Sequence, residues 1–241
     1  MKVLAIDTSG LVASVALAEG DELRAEFITN DKKTHSQTLL PMLEQLRQMI
    51  GLELNTVDAI AIAAGPGSFT GLRIGSATAK GLGLALQKPL VEVPTLEALA
   101  YNLYGTDRLV CPMMDARRNQ VYTGLYEYVP QGENYELRVL IEQCAVDVAQ
   151  IVEECNRLGR EVIFLGDGVP VYREQIREGM KVPYHLAPAH VNRQRAGSVA
   201  ALGAVYASRG QTVEAALHQP IYLRKSQAER EREEADDHTG A

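Results

Sequence analysis

The sequence lacks an excess of basic residues. Its 241 residues carry a formal net charge of −7, and the last 17 residues, "KSQAEREREEADDHTGA", supply −3 of it. A chain without basic excess has no summed positive field that would attract a phosphate backbone. We therefore expect this chain to bind nucleic acid only through a partner.

Long apolar stretches are also missing. The apolar run that precedes Asp7 is only four residues long, and no later run approaches the roughly 20 residues that span a bilayer. The sequence predicts a cytoplasmic protein that has no membrane segment.

Cysteine and histidine are too few and too scattered for a disulfide framework or a metal site on one helix. Cys111, Cys144 and Cys155 are odd in number and widely spaced, which favours reduced thiols in small core sites. The five histidines contain no pair three or four residues apart, so no helical face carries two imidazoles. We expect no metal in this chain.

Catalytic and phosphate-binding motifs of fixed spacing are absent as well. The chain contains no Gly-x-Ser-x-Gly, no Walker A motif and no Gly-x-Gly-x-x-Gly. In "GPGSFTG", Ser68 or Thr70 is suited to cap the helix that follows, a role in which Ser and Thr are preferred. We predict no catalytic residue.

The elements that are present repeat in order along the chain. Alternating and β-rich runs, turn residues and helical periodicity predict three strands, a helix, a strand and a helix in each half. In the first half the predicted elements are strands 2–8, 12–18 and 22–29, a helix 35–50 capped by Thr34 with Gln37, strand 57–65, a helix 70–87, strand 90–93 and a helix 95–104. In the second half they are strands 108–116, 120–128 and 136–143, a helix 147–158 and strand 161–168.

This duplicated βββαβα order predicts an α/β protein of two lobes, each a mixed sheet with helices. We place the first lobe at 1–105 and the second at 106–224. A helix at 196–209 follows both units and could pack on either lobe. The tail 225–241 is charged and has few apolar residues, so we predict that it is disordered.

The duplicated unit belongs to the actin, sugar kinase and Hsp70 class of fold, and four blocks make the resemblance closer. They are "KVLAIDTSG" at 2–10, "HSQTLLPMLEQL" at 35–46, "GPGSFTGLRIG" at 65–75 and "MDARRNQVYTGLY" at 114–126. Together they resemble the bacterial TsaB family, also called YeaZ, strongly over residues 1 to about 130 and weakly beyond.

The resemblance implies a noncatalytic subunit. It would pair with the related protein TsaD, and with the ATPase TsaE, to make threonylcarbamoyladenosine (t6A) beside the anticodon of tRNA. ATP would be used by TsaE and metal held by TsaD, with no cofactor in this chain. The His-x-x-x-His pair that holds metal in TsaD falls here on Thr95 and Leu99, neither of which can replace an imidazole.

"DTSG" at 7–10 allows two interpretations. In this fold class an Asp at the end of the first strand, followed by small hydroxyl residues, lies where phosphate and metal are held. Asp7, Thr8 and Ser9 would then form a nucleotide cleft. The alternative, which we favour, is that Asp7 and Ser9 only close a turn through side-chain to backbone bonds.

Two helices of the first lobe are candidates for a partner interface. On the helix 70–87, residues spaced by four form a face of small side chains that lets another helix approach closely. On the helix 35–50, an apolar stripe ending at Ile50 is widened by two methionines. The resemblance implies that these helices pair with TsaD or with a second copy of the chain. The interface candidates are His35, Leu39, Met42, Leu43, Leu46, Met49, Gly71, Arg73, Gly75, Ala79 and Gly83.

Both faces have a simpler explanation, in which they pack inside their own lobe. Arg73 could reach a carboxylate of a partner or one of its own lobe.

The block "MDARRNQ" opens the second lobe. We interpret Asp115 and Arg117 as a hinge pair that pins the lobe boundary by hydrogen bonds. The alternative is that Arg117 and Arg118 face a nucleotide or RNA phosphate between the lobes. Two other functions stay open for the whole chain: a small ATP-dependent kinase or ATPase that uses Asp7, Thr8 and Ser9, and a homodimeric scaffold unrelated to tRNA.

Overall fold

A computed structural model describes residues 1–31 and 34–224 of the chain, in two lobes. The first lobe contains β1 (Lys2–Asp7), β2 (Ala13–Glu19), β3 (Glu22–Thr29), α1 (His35–Met49), a 3₁₀ turn (Leu54–Thr56), β4 (Ala59–Gly65), α2 (Phe69–Leu86), β5 (Leu90–Pro94) and α3 (Thr95–Tyr101). The second contains β6 (Leu109–Arg117), β7 (Gln120–Gln131), β8 (Asn134–Asp147), α4 (Val148–Leu158), β9 (Val162–Leu165), α5 (Gly168–Val171), α6 (Arg173–Gly179), β10 (Tyr184–Leu186) and α7 (Ala196–Ser208). The predicted tail 225–241 lies outside the described residues.

The two sheets repeat one topology. The strand order is β3-β2-β1-β4-β5 in the first lobe and β8-β7-β6-β9-β10 in the second. In each sheet the first three strands form an antiparallel meander, the fourth strand pairs parallel to the first, and the fifth pairs parallel to the fourth. The predicted duplication is therefore confirmed.

Short elements and one cap differ from the sequence prediction. Helices α5 and α6 and strand β10 were not predicted, because their sequences of three to seven residues show no clear apolar periodicity. Ser68 is the N-cap of α2, as predicted, and its hydroxyl accepts from Gly71 N. Thr34 is the N-cap of α1, but its side chain makes no capping bond, so the predicted capping box is wrong.

The last helix of each lobe packs against the other lobe. Helix α7 covers the face of the first sheet opposite α1 and α2, and Gly203 allows it to approach Ala61 closely. Helix α3 turns Leu96 and Leu99 into the apolar cluster of the second lobe, beside Tyr126. The lobes therefore share their cores as well as a boundary.

The four small residues predicted to form an outward groove on α2 face the interior of the first lobe instead. A side chain at Gly71 would overlap the backbone of Thr8, and one at Gly75 would overlap the Thr8 hydroxyl and touch Ile62. Ala79 is fully buried, and a Cβ at Gly83 would lie 2.7 Å from Ala215 Cβ. The assignment of Gly71, Gly75, Ala79 and Gly83 to a partner interface is wrong, because their small size brings α2 onto its own lobe.

Most of the apolar stripe on α1 is also internal. Leu39, Met42, Leu43 and Leu46 are buried in the cluster that fills the space between α1, α2 and the first sheet. These four residues belong to the core, so their assignment to an interface is wrong. Met49, by contrast, is 76% exposed.

Among the residues that the structure describes, none of the helices has the length and apolar character needed to cross a bilayer. The three cysteines are free thiols, with Cys111 and Cys155 buried and Cys144 half-buried.

Two glycines of α2 provide a matched test of this packing. Gly75 contacts Thr8, whereas no atom outside the helix lies within 4 Å of a Cβ built at Gly81. We expect Gly81→Ala to raise the free energy of unfolding by about 0.5–1 kcal/mol, because alanine loses less chain entropy in a helix. Gly75→Ala should lower it by about 1–3 kcal/mol through overpacking. Urea unfolding of both variants measures the difference, and equal effects would contradict the inward orientation.

Candidate functional site

A cleft of about 970 Å³ separates the two lobes. The first lobe contributes the turn after β1 and the N-terminal ends of α1 and α2. The second lobe contributes the end of β6, with Asp115 and Arg117, and Asp167 in the turn after β9. Residues 221–224 also line the cleft.

The turn after β1 is closed by its own side chains. Asp7 is 1% exposed, and its Oδ1 accepts hydrogen bonds from Ser9 N at 2.9 Å and Ser9 Oγ at 2.6 Å. Thr8 Oγ1 donates to Gly71 O at 2.8 Å, and Ser68 N donates to Ser9 O at 2.7 Å. This is the turn-closing arrangement that the sequence analysis favoured for Asp7 and Ser9.

The same contacts bear on the nucleotide interpretation of Asp7, Thr8 and Ser9. A phosphate cradle needs free backbone N–H groups, but Ser9 N is bonded to Asp7, and Gly67 and Gly71 pack directly on the backbone of Ser9 and Thr8. Burial raises the pKa of Asp7 to about 6, against the lowering effects of the Ser9 hydrogen bonds and of His35. The turn is therefore a packed support for α2.

His35 fixes the start of α1 to this turn. Its Nε2 lies 2.8 Å from Gly10 O, and its buried Nδ1 has no hydrogen-bond partner among the residues that the structure describes. The histidine that the sequence analysis assigned to a partner interface is half-buried and holds α1 in place.

On the opposite side of the cleft, the hydrogen bonds of Asp115 to other described residues stay within the second lobe. Its Oδ1 accepts from Arg117 N at 2.8 Å and from Tyr172 Oη at 2.9 Å. The predicted hinge role of Asp115 and Arg117 is therefore wrong in its geometry, because their hydrogen bond lies inside the β6–β7 hairpin. Nearby, burial raises the pKa of Asp167.

The segment after α7, residues 209–224, forms hydrogen bonds with both sides of the cleft. We term this segment the C-terminal arm. Ile221 N donates to Ala64 O of the first lobe at 2.7 Å, and Arg224 Nη1 donates to Ala116 O of the second at 2.8 Å. Sequence reasoning missed this segment because it has no periodic pattern.

The arm also forms an aromatic cluster at the rim of the cleft. The rings of Tyr222 and Phe69 are 4.8 Å apart, and the Arg73 guanidinium lies 4.0 Å above the Phe69 ring. Arg73 Nε is 3.4 Å from Tyr222 Oη. Arg73 is exposed and forms no ion pair with any residue that the structure describes.

A second surface lies on the side of α2 that faces away from the sheet. We call it the outer face of α2, and it consists of exposed uncharged residues: Thr70, Ala77, Gly81, Leu84 and Ala85. Arg73, which is also exposed, lies beside it and turns to Phe69 at the cleft. Leu84 is 58% exposed, as is Leu40 on the neighbouring helix α1. No carboxylate occurs on this face, and its small residues at 77, 81 and 85 repeat the spacing of four that marks the buried face.

The two positions that the sequence analysis matched with the metal ligands of TsaD, Thr95 and Leu99, are buried in the core. Thr95 Oγ1 accepts from Gly65 N at 3.1 Å, and Leu99 contributes to the apolar cluster shared with the second lobe. Within 1–31 and 34–224, no three His, Cys, Asp or Glu side chains are grouped as metal ligands would be.

Two equivalent five-stranded sheets that flank a cleft define the two-lobe actin-like class, which includes actin, sugar kinases and Hsp70. Comparison with known proteins identifies the family within this class. The family model described as "TsaD: tRNA N6-adenosine threonylcarbamoyltransferase" matches residues 22–232.

Individual relatives cover almost the whole chain. The tRNA threonylcarbamoyladenosine biosynthesis protein TsaB of Bacillus subtilis is 35% identical over 229 residues, which are 95% of this chain and 96% of that protein. The TsaB protein of Escherichia coli is 31% identical, with 95% and 96% covered. A crystal structure from Pseudomonas aeruginosa, of a protein with similarity to peptidase YeaZ, has a TM-score of 0.79 and 32% identity over 92% of this chain and 99% of that one. The chain belongs to the TsaB (YeaZ) family.

The buried Asp7 carboxyl predicts a specific dependence of stability on pH. Its folded pKa of about 6 exceeds its ordinary value of 3.8, so the folded state binds more protons between these pH values. This contribution to stability is full below pH 4 and is lost as pH rises through 6, by about 3 kcal/mol. Asp7→Asn does not titrate, so its stability relative to wild type should increase from pH 4 to pH 7. Urea unfolding at both pH values checks this, and a constant difference would contradict it.

Proposed function

We propose that this chain is a noncatalytic subunit of the t6A machinery, which pairs with TsaD and helps to recruit the ATPase TsaE. The relatives at 31–35% identity are named for t6A biosynthesis, and the matching family model carries the name of the transferase. The sequence offers no nucleophile motif and no metal-binding pair of its own. In this proposal ATP is used by TsaE, metal is held by TsaD, and this chain needs no cofactor.

The outer face of α2 is the observation that carries the proposal. Its small side chains at 77, 81 and 85 let a partner helix approach closely, and the exposed Leu84 adds apolar area. The buried side of the same helix is locked on Thr8 and Ile62, so the outer face is held in one orientation. A rigid, uncharged helical face loses little entropy when it binds.

Pairing would activate TsaD by a shift of population. Only contacts that are stronger to the active arrangement of TsaD can favour that arrangement, so a rigid surface is suited to the task. Without TsaD, the same face would pair two copies of this chain. Cytoplasmic tRNA would be reached only through the complex, in keeping with the net charge of −7.

One alanine substitution on each side of the first lobe tests the proposed surface. Ala77 lies on the outer face of α2, whereas Ala201 is exposed on α7, which covers the opposite face of the sheet. We expect Ala77→Arg to weaken pairing with purified TsaD at least about tenfold, because a charged side chain would be desolvated at a close helix contact. Ala201→Arg should pair like wild type. Light scattering after size-exclusion chromatography measures the masses.

Both variants place arginine on an exposed helical position, so far-ultraviolet circular dichroism should show the wild-type fold. A folded Ala77→Arg protein that still pairs with TsaD would contradict the proposed surface. A wild-type chain that stays apart from TsaD would contradict the subunit function. ATP binding by the isolated chain that is lost on Asp7→Ala would support the kinase or ATPase alternative.

A further inference from the structure

The arginines of this protein fall into two groups. Nine of those that the structure describes lie within 4 Å of a carboxylate: Arg24, Arg47, Arg108, Arg138, Arg157, Arg160, Arg177, Arg195 and Arg209. Six others form no such ion pair within the described ranges, and four of these six either line the inter-lobe cleft or lie next to a residue that lines it. Because most arginines of this acidic protein are neutralised, this concentration of unpaired charge distinguishes the rim from the rest of the surface.

We call these four residues the rim arginines: Arg73, Arg117, Arg118 and Arg224. Arg117 and Arg224 line the cleft, and Arg118 follows Arg117 in the β6–β7 hairpin. Arg73 stacks on Phe69, another residue of the cleft lining. The first lobe, the second lobe and the C-terminal arm all contribute, so the fold brings together charges that are far apart in the sequence.

The hairpin that carries two of them has an uncommon backbone. Arg117, Arg118 and Asn119 have φ angles of 61°, 55° and 62°, in the left-handed region that residues other than glycine rarely adopt. Each such residue costs roughly 1 kcal/mol or more. Glycine would adopt these φ angles without the steric penalty, so the two arginines do not stabilise the turn through their backbone conformation.

Side-chain hydrogen bonds of Asn119 hold this strained turn in place. Asn119 Nδ2 donates to Asp147 Oδ1 at 3.3 Å, and Gln175 Nε2 donates to Asn119 Oδ1 at 2.8 Å. Both arginine side chains are exposed. A fixed turn that presents two unpaired guanidinium groups to solvent is suited to contact a ligand.

Among the described residues, no carboxylate of the cleft forms an ion pair with a rim arginine. Asp115 accepts from the backbone N of Arg117 and from Tyr172, both within the second lobe. Asp167 is largely withdrawn from solvent, and burial raises its pKa. Asp31 also lines the cleft and has contacts of its own.

We propose that the rim arginines bind successive phosphates of the tRNA backbone when this chain is paired with TsaD. Guanidinium groups donate paired hydrogen bonds to phosphate oxygens, and such contacts position a nucleic acid without reading its bases. The inference rests on the proposed function, which brings tRNA to the complex. It adds that this chain contacts the tRNA directly.

Two observations favour a phosphate backbone over a free nucleotide. The rim arginines lie on exposed or half-buried positions of both lobes and the arm, an arrangement that suits an extended anion lying across the cleft. The turn at 7–10, where a nucleotide phosphate would need backbone N–H groups, is closed by Asp7 and packed by Gly67 and Gly71. Four charges in a chain of net charge −7 also explain why a partner is needed.

The test uses the full chain in complex with TsaD and an unmodified tRNA transcript that has adenosine beside the anticodon. The double variant R117N/R118N removes two charges, and asparagine tolerates the left-handed turn. The control R157N/R177N removes two exposed arginines that are paired with Glu154 and Glu174. Affinity for tRNA is measured by fluorescence anisotropy at several salt concentrations.

We expect R117N/R118N to weaken tRNA binding about tenfold or more at fixed salt. The slope of log affinity against log salt should decrease by about 0.7–0.9 for each phosphate that the variant no longer binds. The control should match wild type in both quantities.

Light scattering of each complex with TsaD is measured first, so that two kinds of failure can be told apart. A wild-type chain that forms no complex overturns both the proposed function and this inference. A complex that forms normally while R117N/R118N leaves affinity and salt slope unchanged overturns the inference alone. Loss of Mg-ATP binding with unchanged tRNA binding also overturns it, since the arginines would then serve a nucleotide.

Discussion

The close approach of α2 to the turn after β1 is the contact on which much of the molecule depends. Gly67 and Gly71 lie against the backbone of Ser9 and Thr8, where any larger residue would collide. This approach lets the Thr8 hydroxyl bond to Gly71 O and lets Ser68 bond to Ser9 O. The same turn also fixes the start of α1, because His35 is hydrogen-bonded to Gly10 O. The orientation of both helices, and of the surfaces on them, therefore depends on glycine at positions 67 and 71.

The sequence analysis identified the small residues of α2 but assigned the wrong side of the helix to a partner. Two series spaced by four run along this helix, one at 71, 75, 79 and 83 and the other at 73, 77, 81 and 85. Periodicity shows that two faces exist, but it does not show which one meets the sheet. The series with more glycine lies inside, because a side chain at 71 or 75 would collide with Thr8 and one at 83 would collide with Ala215.

Other parts of the fold could be predicted to different degrees. The duplicated sheets were predictable, because strands that alternate and glycine turns at matching places give a local signal in each half. The position of the C-terminal arm was not, since its hydrogen bonds to Ala64 and Ala116 join residues more than 100 positions apart. The arginine cluster at the rim is a result of the same long-range contacts. It was visible only in part, as the pair at 117–118.

The exchange of helices between lobes has a consequence for the order in which the chain folds during synthesis. All five strands of the first sheet have been made once residue 94 has left the ribosome, but α7, which covers one of its faces, spans residues 196–208. Until then Val3, Ala5, Val91 and Val93 lack the cover of α7, on a side where α3 contributes only Ala98 and Tyr101 among the described residues. The first lobe to be synthesised is thus completed only after most of the second, so a nascent chain exposes an apolar sheet face to chaperones for nearly half of its translation.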